Sequence, residues 1–126
     1  MNTNRRTSAN NTREKGKTAE DLAAEYLENK GMVIVRRNFH FGREGEIDII
    51  ARDGNVLVFV EVKSRRTNEF GTPEDGITFA KRKYLRRAAE GYLYVNKLGD
   101  CECRFDFVGI DYAKNPAELR HIINAF

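Results

Sequence analysis

Residues 45–66 read GEIDIIARDGNVLVFVEVKSRR, in which two strand-like patterns flank a strong turn signal. The dipeptide Asp53-Gly54 is typical of a two-residue hairpin loop, because glycine supplies the positive φ that such a turn needs. Residues 56–62 are rich in Val and Phe, as expected of a buried strand, yet Glu61 interrupts them. A core strand rarely carries a charge without a use for it. The stretch therefore predicts a central hairpin that carries a functional site.

The predicted loop determines which side chains share a face of the hairpin. With Asp53-Gly54 as the loop, counting along the ladder places Asp48 opposite Phe59. Side chains alternate with period two, so Asp48, Glu61 and Lys63 are predicted to project from one face. Asp48 and Glu61 then become diagonal neighbours about 5 to 8 Å apart at Cβ, close enough to share one divalent cation. The other face is predicted to carry Ile47, Ile49, Val58, Val60 and Val62.

Two carboxylates with a lysine beside them suit phosphodiester chemistry. Mg²⁺ takes oxygen ligands, usually one or two carboxylates together with waters and substrate phosphate. The cation stabilises charge that develops on a phosphodiester and lowers the pKa of a bound water. Lys63 could orient that water or offset charge on the attacked phosphate. The simpler alternative is a surface ion pair between Glu61 and Lys63. The flanking strand is too apolar for a solvated face, which favours the functional interpretation.

The spacing of these residues resembles a known nuclease motif. Asp48, twelve further residues and then Glu61-Val62-Lys63 resemble the PD-(D/E)XK motif of restriction-endonuclease-like nucleases, which include archaeal Holliday junction resolvases. The residue before Asp48 is Ile47 rather than proline, a departure that is common in that superfamily. Within it, the chain from about Gly16 to Phe126 is similar to the bacterial YraN family. The segments that carry this similarity are GKTAEDLAAEYLENKG, RRNF, GEIDII, FVEVKSR, FGTPED, CRFDFVGI and INAF.

Residues 18–30 have the pattern of a first helix. Thr18 is predicted as its N-cap with Asp21 in the capping-box position, and Gly31 as the glycine just beyond its end. Among the acidic residues of this helix, Glu20 lies nearest the apolar stripe, about 90° from its centre. By resemblance, Glu20 matches the helix-one glutamate that completes the metal site in resolvase-like members. An ordinary solvated glutamate is the alternative. The apolar stripe consists of Ala19, Leu22, Ala23, Tyr26 and Leu27.

Basic residues after the hairpin predict a surface for nucleic acid. Arg65 and Arg66 follow the second strand, and residues 77–96 have the pattern of a second helix. Its predicted buried residues are Leu85, Ala88, Tyr92 and Val95, and Lys81 lies one turn before Leu85 on the same stripe. Its first half contains a basic run without any acid, formed by Lys81, Arg82, Lys83, Arg86 and Arg87. Such a run suits a phosphate backbone and also describes a solvated helix. The neighbouring carboxylates favour nucleic acid, with Lys81 and Arg65 holding phosphate.

The remaining patterns complete a single α/β domain. Residues 32–41 and 101–110 are predicted as strands, and the tail after Pro116 is compatible with a short helix or a last strand. Asp106 in the second of these strands is interpreted as structural, with Arg104 or a basic residue of a neighbouring strand as its partner. The predicted fold is a restriction-endonuclease-like mixed sheet with a central β-hairpin flanked by helices.

Length and composition limit the classes of protein to which the chain can belong. At 126 residues it is expected to form one domain, residues 16–126, after a disordered basic arm, residues 1–15. The segment 1–17 contains five basic residues and one acidic residue. A polar arm of this kind can sample nucleic acid or simply improve solubility. No stretch of 18 apolar residues exists and no apolar signal segment begins the chain, so we expect a cytoplasmic protein without a membrane partner.

The sequence predicts a metal-dependent endonuclease that hydrolyses phosphodiester bonds in DNA, with branched or junction DNA as a candidate substrate. Asp48 and Glu61 would bind Mg²⁺ or Mn²⁺, Glu20 would assist, and the Val62 carbonyl is a candidate further ligand. Lys63 would position the nucleophilic water. The nearby Arg66, Arg82 and Lys83 would contact nucleic acid. One alternative is a non-catalytic nucleic-acid-binding module that retains the fold, and another is a small protein-interaction domain. Resolvase-like relatives act as dimers, so the resemblance also implies a homodimer.

Overall fold

The computed structural model of the protein describes residues 16–43, 45–66 and 77–126. Within these ranges lie two helices, α1 (Ala19–Asn29) and α2 (Phe79–Val95). The strands there are β1 (Val33–Phe41), β2 (Gly45–Asp53), β3 (Val56–Arg65), β4 (Cys103–Asp111) and β5 (Glu118–Ile122). The predicted arm, residues 1–15, and the FGTPED segment lie outside the described residues. Neither of the described helices combines the length and apolar character that crossing a membrane requires.

The strands of the described ranges form one mixed sheet in the order β1-β2-β3-β4-β5. β3 and β4 run parallel, whereas the other neighbouring strands are antiparallel. A parallel pair needs a long crossover connection, and α2 lies in the segment that joins β3 to β4. β5 shows that the tail forms a last strand rather than a helix. The predicted restriction-endonuclease-like mixed sheet with a central β-hairpin flanked by helices is confirmed.

The two helices cover opposite faces of the sheet. Val58 and Val60 belong to a core cluster on the α1 side, and Leu57 and Phe59 to a cluster on the α2 side. These residues alternate along β3, so they point to opposite faces. The α1 cluster comprises Ala23, Ala24, Leu27, Met32, Ile49, Ala51, Val58, Val60, Val108 and Ile110. The α2 cluster comprises Phe39, Ile47, Ile50, Leu57, Phe59, Leu85, Ala88, Ala89 and Tyr92.

The first helix has the ends that the sequence predicts. The Thr18 hydroxyl accepts a hydrogen bond from the Asp21 N–H at 3.0 Å, and the Thr18 N–H donates to the Asp21 carboxylate at 3.0 Å. This reciprocal pair satisfies backbone groups that have no partner within the helix. Gly31 has a φ of 98°, which glycine adopts without steric cost. The capping box and the glycine beyond the helix end are therefore confirmed.

The second helix buries most of the predicted stripe. Leu85, Ala88 and Tyr92 are buried as predicted, with exposed fractions of at most 6%. The prediction for Val95 is wrong, because its exposed fraction is 58%. Val95 is the last residue of α2 and lies outside the α2 cluster, so the end of the helix at this residue is not packed against the sheet.

A buried ionic network joins β4 to β5. Asp106 is fully buried and accepts hydrogen bonds from Arg104 Nε at 3.0 Å and from the Asn124 N–H at 3.2 Å. Its other carboxylate oxygen lies 2.8 Å from His121 Nε2. Burial alone would raise the pKa of Asp106, but the hydrogen bonds from His121, Arg104 and Asn124 outweigh burial and lower it. The predicted pairing of Asp106 with Arg104 is confirmed.

Candidate functional site

The β2–β3 hairpin has a different register from the predicted one. Its loop is Gly54-Asn55, and Gly54, with a φ of 62°, takes the first loop position rather than the second. Phe59 therefore pairs with Ile50, and the prediction that it faces Asp48 is wrong. The register moves by two residues along β3. Because side chains alternate with period two, this even shift leaves the predicted faces of β3 unchanged.

Asp48 and Glu61 lie next to each other where the β2–β3 ladder ends. The last pair of the ladder is Ile49 with Val60, and Asp48 and Glu61 are the next residues of the two strands. The charge of Asp48 and a side-chain hydrogen bond between the two carboxyl groups both act on Glu61, so the two groups are in contact. The two carboxylates thus meet at the point where the β2–β3 ladder ends.

The alternation of side chains in β2 breaks at Asp48. Ile49 belongs to the α1 cluster, whereas Ile47 belongs to the α2 cluster, so the prediction that both share one face is wrong. The strand therefore departs from regular geometry between these two residues. The Asp48 side chain reaches across to β3, where its Oδ2 accepts a hydrogen bond from the Val62 N–H at 2.8 Å. This bond holds the carboxylate beside Glu61.

Glu61 is the buried acid of the site. Its exposed fraction is 5%, and its Oε2 lies 3.4 Å from the Nζ of Lys81 on α2. Burial, and next the negative charge of Asp48, raise the pKa of Glu61 to about 7, against the opposing effect of Lys81. When both carboxylates are ionised, the pair carries two negative charges beside the single positive charge of Lys81. Such a pair favours a bound cation.

We expect Glu61 to make the stability of the protein in chelator decline between about pH 4.3, the usual glutamate pKa, and about pH 7. Over this window the folded state retains a proton that the unfolded chain has already released, so raising the pH favours unfolding. Urea unfolding at about pH 5 and about pH 8 measures the effect. The Glu61→Gln variant should gain stability relative to wild type as the pH rises. A constant difference between the two proteins at both pH values would contradict this expectation.

Two glycines let α2 approach the sheet closely enough to place Lys81. A Cβ atom on Gly45 would lie 2.5 Å from the Tyr84 carbonyl oxygen and 2.7 Å from the Ala88 Cβ. A Cβ atom on Gly91 would lie 2.3 Å from the Phe41 ring. The helix backbone thus rests directly on the start of β2. No local sequence pattern predicts these contacts, since they join elements that are far apart along the chain.

Replacing Gly45 by alanine should destabilise the protein by about 1–3 kcal/mol, the usual cost of overpacking. The added methyl group meets a helix carbonyl, which moves only if α2 shifts as a whole. The matched control is Gly99→Ala, because a Cβ on Gly99 has no neighbour within 4 Å. Urea unfolding of both variants measures the difference. Equal stability of the two variants would show that α2 is not seated tightly on β2.

Lys63 lies on β3 two positions beyond Glu61 and is half-buried. Its cross-strand neighbour on β4 is Gly109, which adds no side chain to the sheet surface beside it. In the part of the chain that the structure describes, Lys63 has no ion-pair partner. The predicted Glu61–Lys63 surface pair is thus not formed, and Glu61 is paired with Lys81 instead. The role of Lys63 towards water and phosphate stays a prediction.

Glu20 is hydrogen-bonded to two side chains of β1. Its Oε1 accepts hydrogen bonds from Arg37 Nη2 at 3.1 Å and from Asn38 Nδ2 at 3.0 Å. Asn38 has a φ of 55° and lies in β1 between Arg37 and Phe39. These two residues pair with Ile49 and Ile47, the neighbours of Asp48 in β2. Among residues 16–43, 45–66 and 77–126, however, no three acidic, histidine or cysteine side chains form a group that could hold a metal ion. The role of Glu20 as a third metal ligand therefore stays a prediction.

The basic residues that were predicted to contact nucleic acid differ in their contacts within the structure. Arg65 donates to Asp111 Oδ2 at 2.8 Å, and this pairing lowers the pKa of Asp111. The Arg66 guanidinium lies 4.7 Å from the centroid of the Tyr112 ring. Lys81 contacts Glu61, as its position on the buried stripe suggests. A contact of Arg65 with phosphate would compete with its bond to Asp111. Exposed side chains on α2 include Arg82 and Lys83.

Comparison with known proteins places the chain in a family. The sequence model described as "Uncharacterised protein family UPF0102" matches residues 19–110. A UPF0102 protein of Chlorobium chlorochromatii is 45% identical, with 93% of this chain and 94% of the relative covered. A UPF0102 protein of Symbiobacterium thermophilum is 48% identical, with 91% of this chain and 98% of the relative covered. The chain therefore belongs to the UPF0102 family, which is the YraN family that its motifs resemble.

Proposed function

We propose that this protein is a divalent-metal-dependent endonuclease that hydrolyses phosphodiester bonds in DNA. The observation that carries the proposal is the adjacent pair of carboxylates, Asp48 and Glu61, at the end of the central hairpin. Two adjacent acids, of which Glu61 is only 5% exposed, destabilise the folded protein relative to two apolar residues at the same positions. Titratable groups perturbed in this way concentrate at functional sites.

The residues present fit Mg²⁺ or Mn²⁺. Both cations take carboxylate oxygens, and Mg²⁺ is commonly held by one or two carboxylates with waters and substrate phosphate. Asp48 and Glu61 would hold the cation, and the Val62 carbonyl and Glu20 are the further candidates. When bound, the cation supplies charge stabilisation at the phosphoryl group and a water of lowered pKa.

The chain's own residues orient the reacting groups. The Val62 N–H fixes the Asp48 carboxylate, so this acid does not have to be ordered when substrate arrives. Lys63, on the same face of β3 as Glu61, would position the attacking water and offset negative charge on the phosphate. Because the site lies on paired strands rather than on a loop, these groups keep their relative positions.

The basic half of α2 supports DNA as the substrate. Five of the residues from Phe79 to Ala89 are basic and none is acidic. This basic surface adjoins the site directly, since Lys81 contacts Glu61. It would bind the phosphate backbone without reading bases. The preference for branched DNA and the homodimer come from the resemblance to resolvases and belong to the proposal on that ground.

Cleavage assays test the proposal. Purified protein is incubated with linear, flapped and four-way-junction DNA in Mg²⁺, Mn²⁺ or chelator. The proposal predicts cutting only with metal, and the comparison of substrates gives the preferred DNA structure. Salt-dependent binding of DNA without cutting in either metal would instead show a nucleic-acid-binding module.

Replacing Lys63 by methionine should reduce cleavage by roughly a hundredfold or more, because a positioned proton-transfer or charge-stabilising group contributes on that scale. The free energy of unfolding should change little, since Lys63 is half-buried and outside both core clusters. The matched control is Lys97→Met, an exposed lysine that follows α2. Single-turnover cleavage and DNA affinity are measured for both variants. Full activity of the Lys63 variant would remove this residue from the mechanism.

A further inference from the structure

Lys81 has two partners at the candidate site. Its Nζ lies 3.4 Å from Glu61 Oε2 and 5.2 Å from the centroid of the Tyr84 ring. The Lys81 side chain is 34% exposed, whereas that of Glu61 is 5% exposed. The ammonium group therefore lies at the boundary between the buried carboxylate and solvent. It can leave Glu61 and still retain a cation–π contact with Tyr84 on the solvent side.

The charges at the site bring Lys81 and a metal ion into competition. Asp48 and Glu61 together carry two negative charges when ionised, and Lys81 supplies one positive charge. A divalent cation shared by the two carboxylates would neutralise the pair without Lys81. It would also repel an ammonium group that stayed 3.4 Å from a Glu61 oxygen.

We infer that Lys81 is an internal counter-ion of Glu61, which a divalent cation displaces when it binds between Asp48 and Glu61. The inference rests on the proposed metal site. Before metal binds, Lys81 limits the repulsion between the two carboxylates. After displacement, its ammonium remains beside Tyr84, free to contact a substrate phosphate. Metal binding would thereby make a DNA-binding charge available at the site.

Isothermal titration calorimetry, with Mg²⁺ titrated into the full chain in the absence of DNA, tests the inference. Because Lys81 lowers the pKa of Glu61, its removal strengthens proton competition, so the titration is run at about pH 8.5 and repeated at about pH 9.5. Wild type is compared with Lys81→Met and with Lys81→Gln, which keeps a polar group near Glu61 in case the methionine variant folds poorly. The matched control is Lys97→Met, since Lys97 is an exposed lysine that follows α2 and lies outside the proposed site.

Both Lys81 variants should bind Mg²⁺ about tenfold more tightly than wild type, the lower end of what a nearby charge does to proton binding. The Lys97 variant should bind Mg²⁺ as wild type does. Unchanged or weaker Mg²⁺ binding by the Lys81 variants would overturn the inference while leaving the metal site intact. The Asp48→Asn variant distinguishes a failure of the Lys81 inference from a failure of the proposed metal site. If wild type binds no Mg²⁺, or if Asp48→Asn binds it equally well, the proposed metal site fails and the inference fails with it.

Discussion

Replacing Asp48 by asparagine is expected to abolish metal-dependent cleavage of DNA, with a loss of roughly a thousandfold or more in kcat/KM, the scale on which removal of a catalytic group acts. Asparagine has nearly the same shape as aspartate and can still accept the hydrogen bond that the Val62 N–H donates at 2.8 Å. It lacks the negative charge that would hold a cation beside Glu61. The variant therefore removes the chemistry and preserves the local structure.

The same variant should be at least as stable as wild type at about pH 8 in chelator, because one of two adjacent negative charges is gone. Without Asp48 the pKa of Glu61 should fall back towards its ordinary range, since the charge of Asp48 is one cause of its elevation. The control is Asp100→Asn, an exposed residue just before β4 and away from the carboxylate pair. Single-turnover cleavage and thermal unfolding are measured for both variants. Cleavage by Asp48→Asn at the wild-type rate would contradict the account, as would its failure to fold.

Replacing Asp106 by alanine is expected to lower the free energy of unfolding by about 3–5 kcal/mol, as the breaking of a buried ionic network does. The substitution removes the acceptor of Arg104 Nε and of the Asn124 N–H, and the partner of His121. The His121 side chain is only 6% exposed, so water cannot readily replace the lost carboxylate. Arg104 retains Asp53, at 3.1 Å, as a partner. The loss therefore falls mainly on the contact between β4 and β5.

Urea unfolding of Asp106→Ala measures this effect. The matched control is Asp100→Ala, the same substitution at an exposed position, which should change stability by less than about 0.5 kcal/mol. A loss below about 1 kcal/mol in Asp106→Ala would show that the network does not hold β5 to the sheet. DNA cleavage by the folded fraction should be retained, because Asp106 lies outside the proposed site.

Local patterns in the sequence were sufficient to predict the elements that build the site. The capping box of Thr18 and Asp21 is a short-range feature, and its prediction is confirmed. The helical spacing that places Lys81 on the buried stripe also indicates that it faces the sheet, where it contacts Glu61. The shared face of Phe59, Glu61 and Lys63 depends only on parity along β3. It therefore survives a two-residue error in register.

Contacts between distant segments could not be predicted in the same way. The turn pattern was compatible with glycine at either loop position, so the register depended on tertiary packing. The break in alternation at Asp48 moves Ile47 to the α2 cluster, and no period-two pattern contains such a break. The pairing of Arg65 with Asp111 and of Glu20 with Arg37 depends on which strands and helices become neighbours. Hydrophobic patterning does not specify the partners of charged side chains.

A Mn²⁺ soak of crystals of the full chain tests the central claim most directly, because anomalous scattering locates the ion without any assay of activity. The account predicts an anomalous peak in contact with carboxylate oxygens of both Asp48 and Glu61. The same soak of Asp48→Asn crystals should show no peak there. A peak at another place only, or no peak between these carboxylates at saturating Mn²⁺, would contradict the account.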